Sequence, residues 1–464
     1  MNASMNLLLS EAAIALNAEL LGNDTKFTHV GTDSRQVKPG QLFIALKGEH
    51  FDGHDYALPA LEQGAAAVMI DHALAGVTPA LLVDDCYAAL GRLAAYWRSR
   101  FTLPLVAITG SNGKTTVKEM LASILRAASA DDAVLATQGN LNNHIGLPLT
   151  LLQLGTQHQY AVTEMGMNHS GEISYLSQIA RPDVAVITNA GSAHIGELGS
   201  VAAIASAKAE IFEGLAADGV AVINADDAFA PMWKQSAGSH KIISFGLNNA
   251  ADVSASYSLN ADTSLLNIST AKGEIEVSLP APGVHNVLNA LAACAAALAL
   301  AVPLTKIAAG LEHYAGIKGR LQSLRGINAA LVIDDSYNAN PASMRAAIDV
   351  LTAKSGEKIL VIGDMGELGA EAAALHAEIG RYAKAAGIKQ LMTLGDLSRH
   401  SSDAFGLGAS HYNSAADLTA ALAAQMQPTS VVLVKGSRFM GMEKIVHSIS
   451  KTDESSNNEN GATH

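Results

Sequence analysis

Short apolar runs that end in polar residues, with helical patterns between them, leave this chain few ways to fold. "LFIAL", "AAVMI" and "ALLVDD" come first. "LPLVAIT", "YAVTEMG", "DVAVITNAG", "GVAVINADD" and "KIISFG" follow, and then "ALVIDDSYNANP", "KILVIGDMGELG", "QLMTLGD" and "SVVLVKGSR". Such runs are rich in β-branched residues and read as strands buried on both faces. Alternating with helices, they predict an α/β protein with doubly wound, mainly parallel sheets. Residues 253 to 279 alternate apolar with polar instead, which predicts antiparallel strands. Ligands of doubly wound sheets sit beyond the carboxyl ends of the strands, so the polar run-ends are the candidate sites.

A chain of 464 residues predicts about three domains. The boundaries fall at 1–98, a small α/β domain, at 99–315, a central P-loop-type domain with helices on both faces of its sheet, and at 316–452, a Rossmann-like domain. The tail 453–464 is polar and expected to be disordered. "MNASMNLLLSEAAIALNAELLGND" carries Glu11 and Glu19 and no basic start, so it reads as a helix and not a signal peptide. "ALAACAAALALAVPL" is shorter than the roughly 20 residues a span needs and is broken by Pro303, which predicts a buried helix and no membrane insertion. A net charge of -13 opposes a broad nucleic-acid or membrane-surface role. Cys86 and Cys294 match no metal or redox spacing and fit a reducing, cytoplasmic setting.

"ITGSNGKTT" sits between a predicted strand and a predicted helix. It is a phosphate-binding loop with its first glycine displaced: Ile108 stands where the standard spacing wants glycine, and Gly110 is the nearest one. Free N–H groups and the positive helix end favour an anion there. Gly110, Ser111, Asn112 and Gly113 form the turn, Lys114 adds charge for the β- and γ-phosphates, and Thr115 or Thr116 can offer a hydroxyl to Mg²⁺. Glu164, at the end of a neighbouring predicted strand, can hold the same ion. His194 ends another run in a Gly-Ser loop. Lys208, in "SAKAEIF", reads on its own as a helix-surface lysine. His285, Asn286 and Asn289 open the buried helix, where an asparagine pair can cap it or Asn289 can bond a base edge.

"ITGSNGKTT", "TEMGMNH", "NAGSAHIG", the Lys208 helix and "GVHNVLNALAA" together resemble the Mur ligase family, ATP-dependent amide-bond ligases that build the peptide stem of the bacterial cell wall. The shortened loop is that family's own form. "THVGTDSRQVKPGQLFIALKGEHFDGHDY" resembles its UDP-sugar-binding domain. "NLNNHIGLPLTLL", "VIDDSYNANPASMRAA", "VIGDMGELG" and "VLVKGSRFMGME" resemble the member that adds D-alanyl-D-alanine to a UDP-N-acetylmuramoyl-tripeptide, whose third residue is meso-diaminopimelate or L-lysine.

The resemblance implies an acyl-phosphate mechanism with ATP and Mg²⁺, and roles residue by residue. Lys114 and the loop amides hold the phosphates. Thr115 and Glu164 hold one Mg²⁺, and His194 helps hold a second. Lys208 matches a lysine that several members carry as a carbamate. Asn289 matches the adenine contact, Arg320 an arginine that reaches the γ-phosphate on domain closure, and Asp335 a carboxylate near the ribose. Asn338 and Asn340 match the loop at the nucleotide and the incoming dipeptide. Ser34, Arg35 and Lys47 match positions near the uridine diphosphate. Closure on hinges near 98 and 315 is expected, in a monomer. The competing reading from another class is a non-catalytic nucleotide-controlled binding module.

Overall fold

The computed structural model describes residues 5–191 and 195–451. His194 and the predicted tail lie outside the described residues. Three larger sheets organise the rest.

The first contains Glu19–Leu21, Ala80–Leu82, Ala67–Ile70, Gln41–Ile44 and His29–Gly31 in spatial order, antiparallel at the first pair and parallel beyond it. The N-terminal helix is shorter than its sequence suggested. Leu7–Leu8 pairs antiparallel with Lys26–Phe27, and only Leu9–Leu16 is helical. Asn17 ends it in the left-handed region at φ 51°, which asparagine tolerates better than most residues, and Glu19–Leu21 then completes a sheet edge.

The central sheet runs Gly273–Leu279, Ser264–Thr270, Val253–Leu259, Lys241–Phe245, Val220–Asn224, Val184–Ile187, Leu105–Thr109, Tyr160–Glu164, Val134–Ala136. Its 253–279 portion is antiparallel, as the alternation predicted, and the rest is parallel. The third sheet runs Gln322–Arg325, Leu331–Asp335, Ser430–Lys435, Glu357–Gly363, Gln390–Leu394, Ala409–Tyr412, parallel except at its first pair.

The junction between the first two sheets is apolar. Helix Cys86–Arg98, capped by Asp85 accepting from the Ala88 N–H at 2.7 Å, ends the first domain. Trp97 Nε1 donates to the Leu154 carbonyl at 3.0 Å, and Arg98 Nε donates to that of Ala180 at 3.1 Å. One continuous core joins Leu42, Leu81 and Leu93 to Ala107, Leu176 and Ile187 of the central domain. The opposite face of the central sheet packs under Lys114–Ala128 and the alanine-rich Val284–Ala299, both with long buried stripes. Helix Leu304–Glu312 presses so closely on the first of these that a Cβ at Gly310 would overlap the Ile124 backbone. The third sheet has its own cores on its two faces. Among the described residues, no helix is long and apolar enough to cross a membrane.

Candidate functional site at the central and C-terminal domain cleft

The buried strand Leu105–Thr109 delivers the phosphate loop to the sheet edge, and Lys114–Ala128 begins at the loop's end. Gly110 and Gly113 have φ of 152° and 84°, and a Cβ on either would overlap Thr188 Oγ1 or Asn289 Oδ1 respectively. The next strand fixes the loop. Ser111 N–H donates to the Asn189 carbonyl at 3.0 Å, Asn112 N–H to Asn189 Oδ1 at 2.9 Å, and Thr188 Oγ1 to the Asn112 carbonyl at 2.6 Å. Lys114 Nζ donates back to the Gly110 carbonyl at 2.6 Å. Burial pulls the Lys114 ammonium below its usual pKa, with Glu164 opposing the shift. Thr115 and Thr116 are both buried.

Glu164 ends the strand that pairs in parallel with the loop strand, opposite Ile108. It is 2% exposed. Its Oε1 accepts from Asn142 Nδ2 at 2.9 Å, while its buried Oε2 has no hydrogen-bond partner among the described residues. An orphaned, buried carboxylate oxygen is costly unless a ligand satisfies it. The oxygen sits in the donor set that Mg²⁺ prefers, so the residues present fit that ion.

Lys208 is not on a surface. It is buried at 2% exposure near the end of helix Val201–Ala209 and does not line the cavity. Burial, and then the charge of Lys114, holds its amine well below the usual lysine range. The asparagines of the alanine-rich helix do not cap it: Gly283 is the N-cap and no side chain bonds the free N–H groups. Asn286 Nδ2 donates to the Pro282 carbonyl at 2.8 Å, and Asn289 Nδ2 to Asn286 Oδ1 at 3.2 Å. This turns the Asn289 oxygen toward Gly113. Burial, reinforced by Lys435, lowers His285 to about 4, so that ring is neutral.

The C-terminal domain meets this edge through polar groups. Arg320 Nη2 donates to Thr115 Oγ1 at 2.9 Å, and its guanidinium lies 4.3 Å from the Tyr337 ring centroid. Asn340 caps helix Pro341–Ala353 through a capping box with Ser343, and its Nδ2 donates to Asn112 Oδ1 at 2.7 Å. Asp335 Oδ2 pairs with Lys435 Nζ at 2.6 Å, and Lys435 also donates to the Asn338 carbonyl at 2.8 Å. Between the domains lies a cavity of about 1180 Å³, lined by residues 111–116, Glu164, Asn289, Arg320, Asp335, Asn338 and Asn340 among others.

The first-domain residues are not part of this assembly. Ser34, Arg35 and Lys47 do not line the cavity. Arg35 grips Asp33 with two bonds of 2.8 Å and pulls its carboxyl down to about 2, and Lys47 stands 3.8 Å from Asp52. His54, Asp71 and His72 are close enough to share an ion but are bonded to one another, and none lines the cavity.

Sequence reasoning passed over Asn142, Tyr337 and Lys435. Lys435 ends a strand run, so the rule that ligands sit at strand ends could have found it. Asn142 and Tyr337 stand in loops whose partners are set only by the fold.

The comparisons agree with this architecture. Residues 26–96 match the Mur ligase family catalytic domain, 108–297 the Mur ligase middle domain, and 319–438 the Mur ligase glutamate ligase domain. The chain is 41% identical to the UDP-N-acetylmuramoyl-tripeptide–D-alanyl-D-alanine ligase of Escherichia coli, over 96% of this chain and 98% of that one. A crystal structure of MurF from Acinetobacter baumannii superposes with a TM-score of 0.91 at 38% identity, covering 96% of this chain and 99% of that one. The MurF ligase of Thermotoga maritima, solved in complex with ADP, superposes at 0.80 with 26% identity, covering 90% and 96%. On its sequence, its three matched domains and its fold, the chain belongs to the Mur ligase family.

Proposed function

We propose that the chain joins D-alanyl-D-alanine to UDP-N-acetylmuramoyl-tripeptide at the expense of ATP, giving the pentapeptide precursor of peptidoglycan, ADP and phosphate. The observation that carries this is the meeting of two domains at one phosphate loop. Arg320 and Asn340 reach Thr115 and Asn112 across a cavity with room for a nucleotide and a peptide end. The near full-length match to a ligase of that name supports the same reading.

In this reading a carboxylate oxygen of the tripeptide bonds the γ-phosphorus and ADP leaves. The neutral dipeptide amine then forms a C–N bond at the acyl carbon, and the tetrahedral intermediate collapses as the C–O bond to phosphate breaks, the nitrogen giving its extra proton to the departing phosphate or to water. Negative charge crowds at the transfer, so positioning and electrostatics supply most of the acceleration. Lys114 and the amides of Gly110, Ser111, Asn112 and Gly113 hold the phosphates. Thr115 and Glu164 would hold one Mg²⁺, and His194 would help hold a second. Bound Mg²⁺ neutralises phosphate charge as a Lewis acid. A guanidinium and a dication do not share Thr115 Oγ1 comfortably, so Arg320 would move from that oxygen to the γ-phosphate. Asn289 reads the adenine and Asp335 the ribose. Asn338 and Asn340 order the loop at the dipeptide, and Ser34, Arg35 and Lys47 receive the uridine diphosphate.

A neutral amine is what carbamylation requires, and burial beside Lys114 favours neutral Lys208. A carbamate there would set an anion against the Lys114 cation in place of a neutral amine. The two free, buried cysteines accord with a cytoplasmic enzyme, and we take the working form as a monomer. Phosphate release from ATP with UDP-muramoyl tripeptide, measured with and without D-alanyl-D-alanine, tests the whole reading. Release that ignores the dipeptide would favour a different acceptor.

A further inference from the structure

Of the cationic side chains on the cavity wall, three are committed. Lys114 bonds the loop carbonyl of Gly110, Arg320 bonds Thr115, and Lys435 is buried between Asp335 and the Asn338 carbonyl. Arg438 differs. It follows strand Ser430–Lys435, at the strand-end edge where ligands of such sheets bind. Its side chain is 65% exposed, and its ion partner, Glu443, is 3.6 Å away, beyond a good hydrogen bond. Among the described residues its guanidinium makes no hydrogen bond.

We propose that Arg438 binds the terminal carboxylate of the incoming dipeptide, an inference that rests on the ligase reading above. The dipeptide brings one anionic group into the site, and a planar guanidinium with two parallel N–H donors matches a carboxylate better than any other side chain. Position agrees. Arg438 and Arg320 both approach the Tyr337 ring, at 5.8 and 4.3 Å from its centroid, so the carboxylate anchor and the arginine assigned to the γ-phosphate are neighbours. An extended dipeptide spans roughly 7 Å. With its carboxylate on Arg438, its amine can extend through the same cavity toward Arg320, which itself touches the phosphate loop at Thr115. Arg438 thereby sets specificity: it selects an acceptor with a free carboxylate one dipeptide away from its amine.

The test compares D-alanyl-D-alanine with its C-terminal amide, with ATP and UDP-muramoyl tripeptide saturating. The parent should prefer the free acid by about a hundredfold in kcat/KM, the size of a charged partner lost from a site built to hold it. Arg438→Gln should lower kcat/KM for the acid by a similar factor, use acid and amide almost equally, and leave KM for ATP unchanged. Arg438→Lys should keep part of the preference. An active Arg438→Gln that retains the parent's preference overturns the inference and leaves the ligase reading standing. A rise in KM for ATP as large as the loss on the dipeptide overturns it as well. A parent that shows no dipeptide-dependent phosphate release fails the ligase reading itself.

Discussion

The central domain has two junctions, and they are built from different materials. Toward the first domain, helix Cys86–Arg98 is part of a core that continues into the central sheet. Trp97 and Arg98 are buried and spend their donors on central-domain carbonyls. Toward the C-terminal domain, the contacts are polar and separate: Arg320 on Thr115, Asn340 on Asn112, the Gly196 N–H on the Glu367 carbonyl, and Lys354 on Asp262. An apolar core cannot slide without exposing area, whereas each polar contact can be exchanged for water or substrate at small net cost. Near 315, where the sequence suggested one hinge, the contacts are single and polar, and near 98, where it suggested the other, they are apolar and continuous.

Substitutions at the two junctions should therefore fail in different currencies, chemistry at one and stability at the other. Lys114→Ala, at the polar cleft, should cost about a thousandfold or more in turnover at saturating ATP with no change in Tm. Turnover within tenfold of the parent would remove the phosphate loop from the chemistry. Lys208→Ala should be down by about a hundredfold or more, and acetate or formate should restore part of the rate by occupying the vacated space, while Lys208→Arg should not respond. An inactive variant that no carboxylate revives would keep Lys208 essential and discard the carbamate. Trp97→Ala, at the apolar junction, should lose about 3 kcal/mol in denaturant unfolding while its folded fraction keeps the parental KM for ATP. Parental stability there would erase the distinction between the junctions. Asp262→Asn should show the smallest effect, since Asp262 is 73% exposed in its pair with Lys354. Lys354 is buried, but the substituted asparagine keeps an oxygen that the lysine amine can bond, so we expect less than about threefold in kcat. A tenfold loss would mean that closure hangs on one contact and not on several weak ones.

What the sequence revealed was local, and what it hid was paired across distance. The phosphate loop, the strand that ends in Glu164 and the alanine-rich helix are each written in one continuous stretch, so period and composition expose them. Arg320 and Thr115 are 205 residues apart, and Asn340 and Asn112 are 228 apart; the family resemblance brought Arg320 and Asn340 to the nucleotide, but neither period nor composition names the partner each one bonds. Lys208 misled for another reason. Its helix, "VAAIASAKA", has small apolar residues on every side, so no polar stripe tells which face the lysine occupies. The two-residue strands near the N-terminus are too short to carry a period at all.

The alanine-rich helix beneath the phosphate loop has a consequence for order. Residues Ala290, Ala292, Ala293, Ala295, Ala296 and Ala297 are all fully buried there. Alanine has no side-chain rotamers to freeze on folding, so this layer is assembled at little entropic cost and offers no alternative packings afterwards. Gly310 continues the theme where its helix lies backbone to backbone against Lys114–Ala128. The helix that aims the loop amides thus rests on a support with almost no internal degrees of freedom. Repacking noise from below does not reach the phosphates, and heat should blur the C-terminal wall of the cleft long before it blurs the loop.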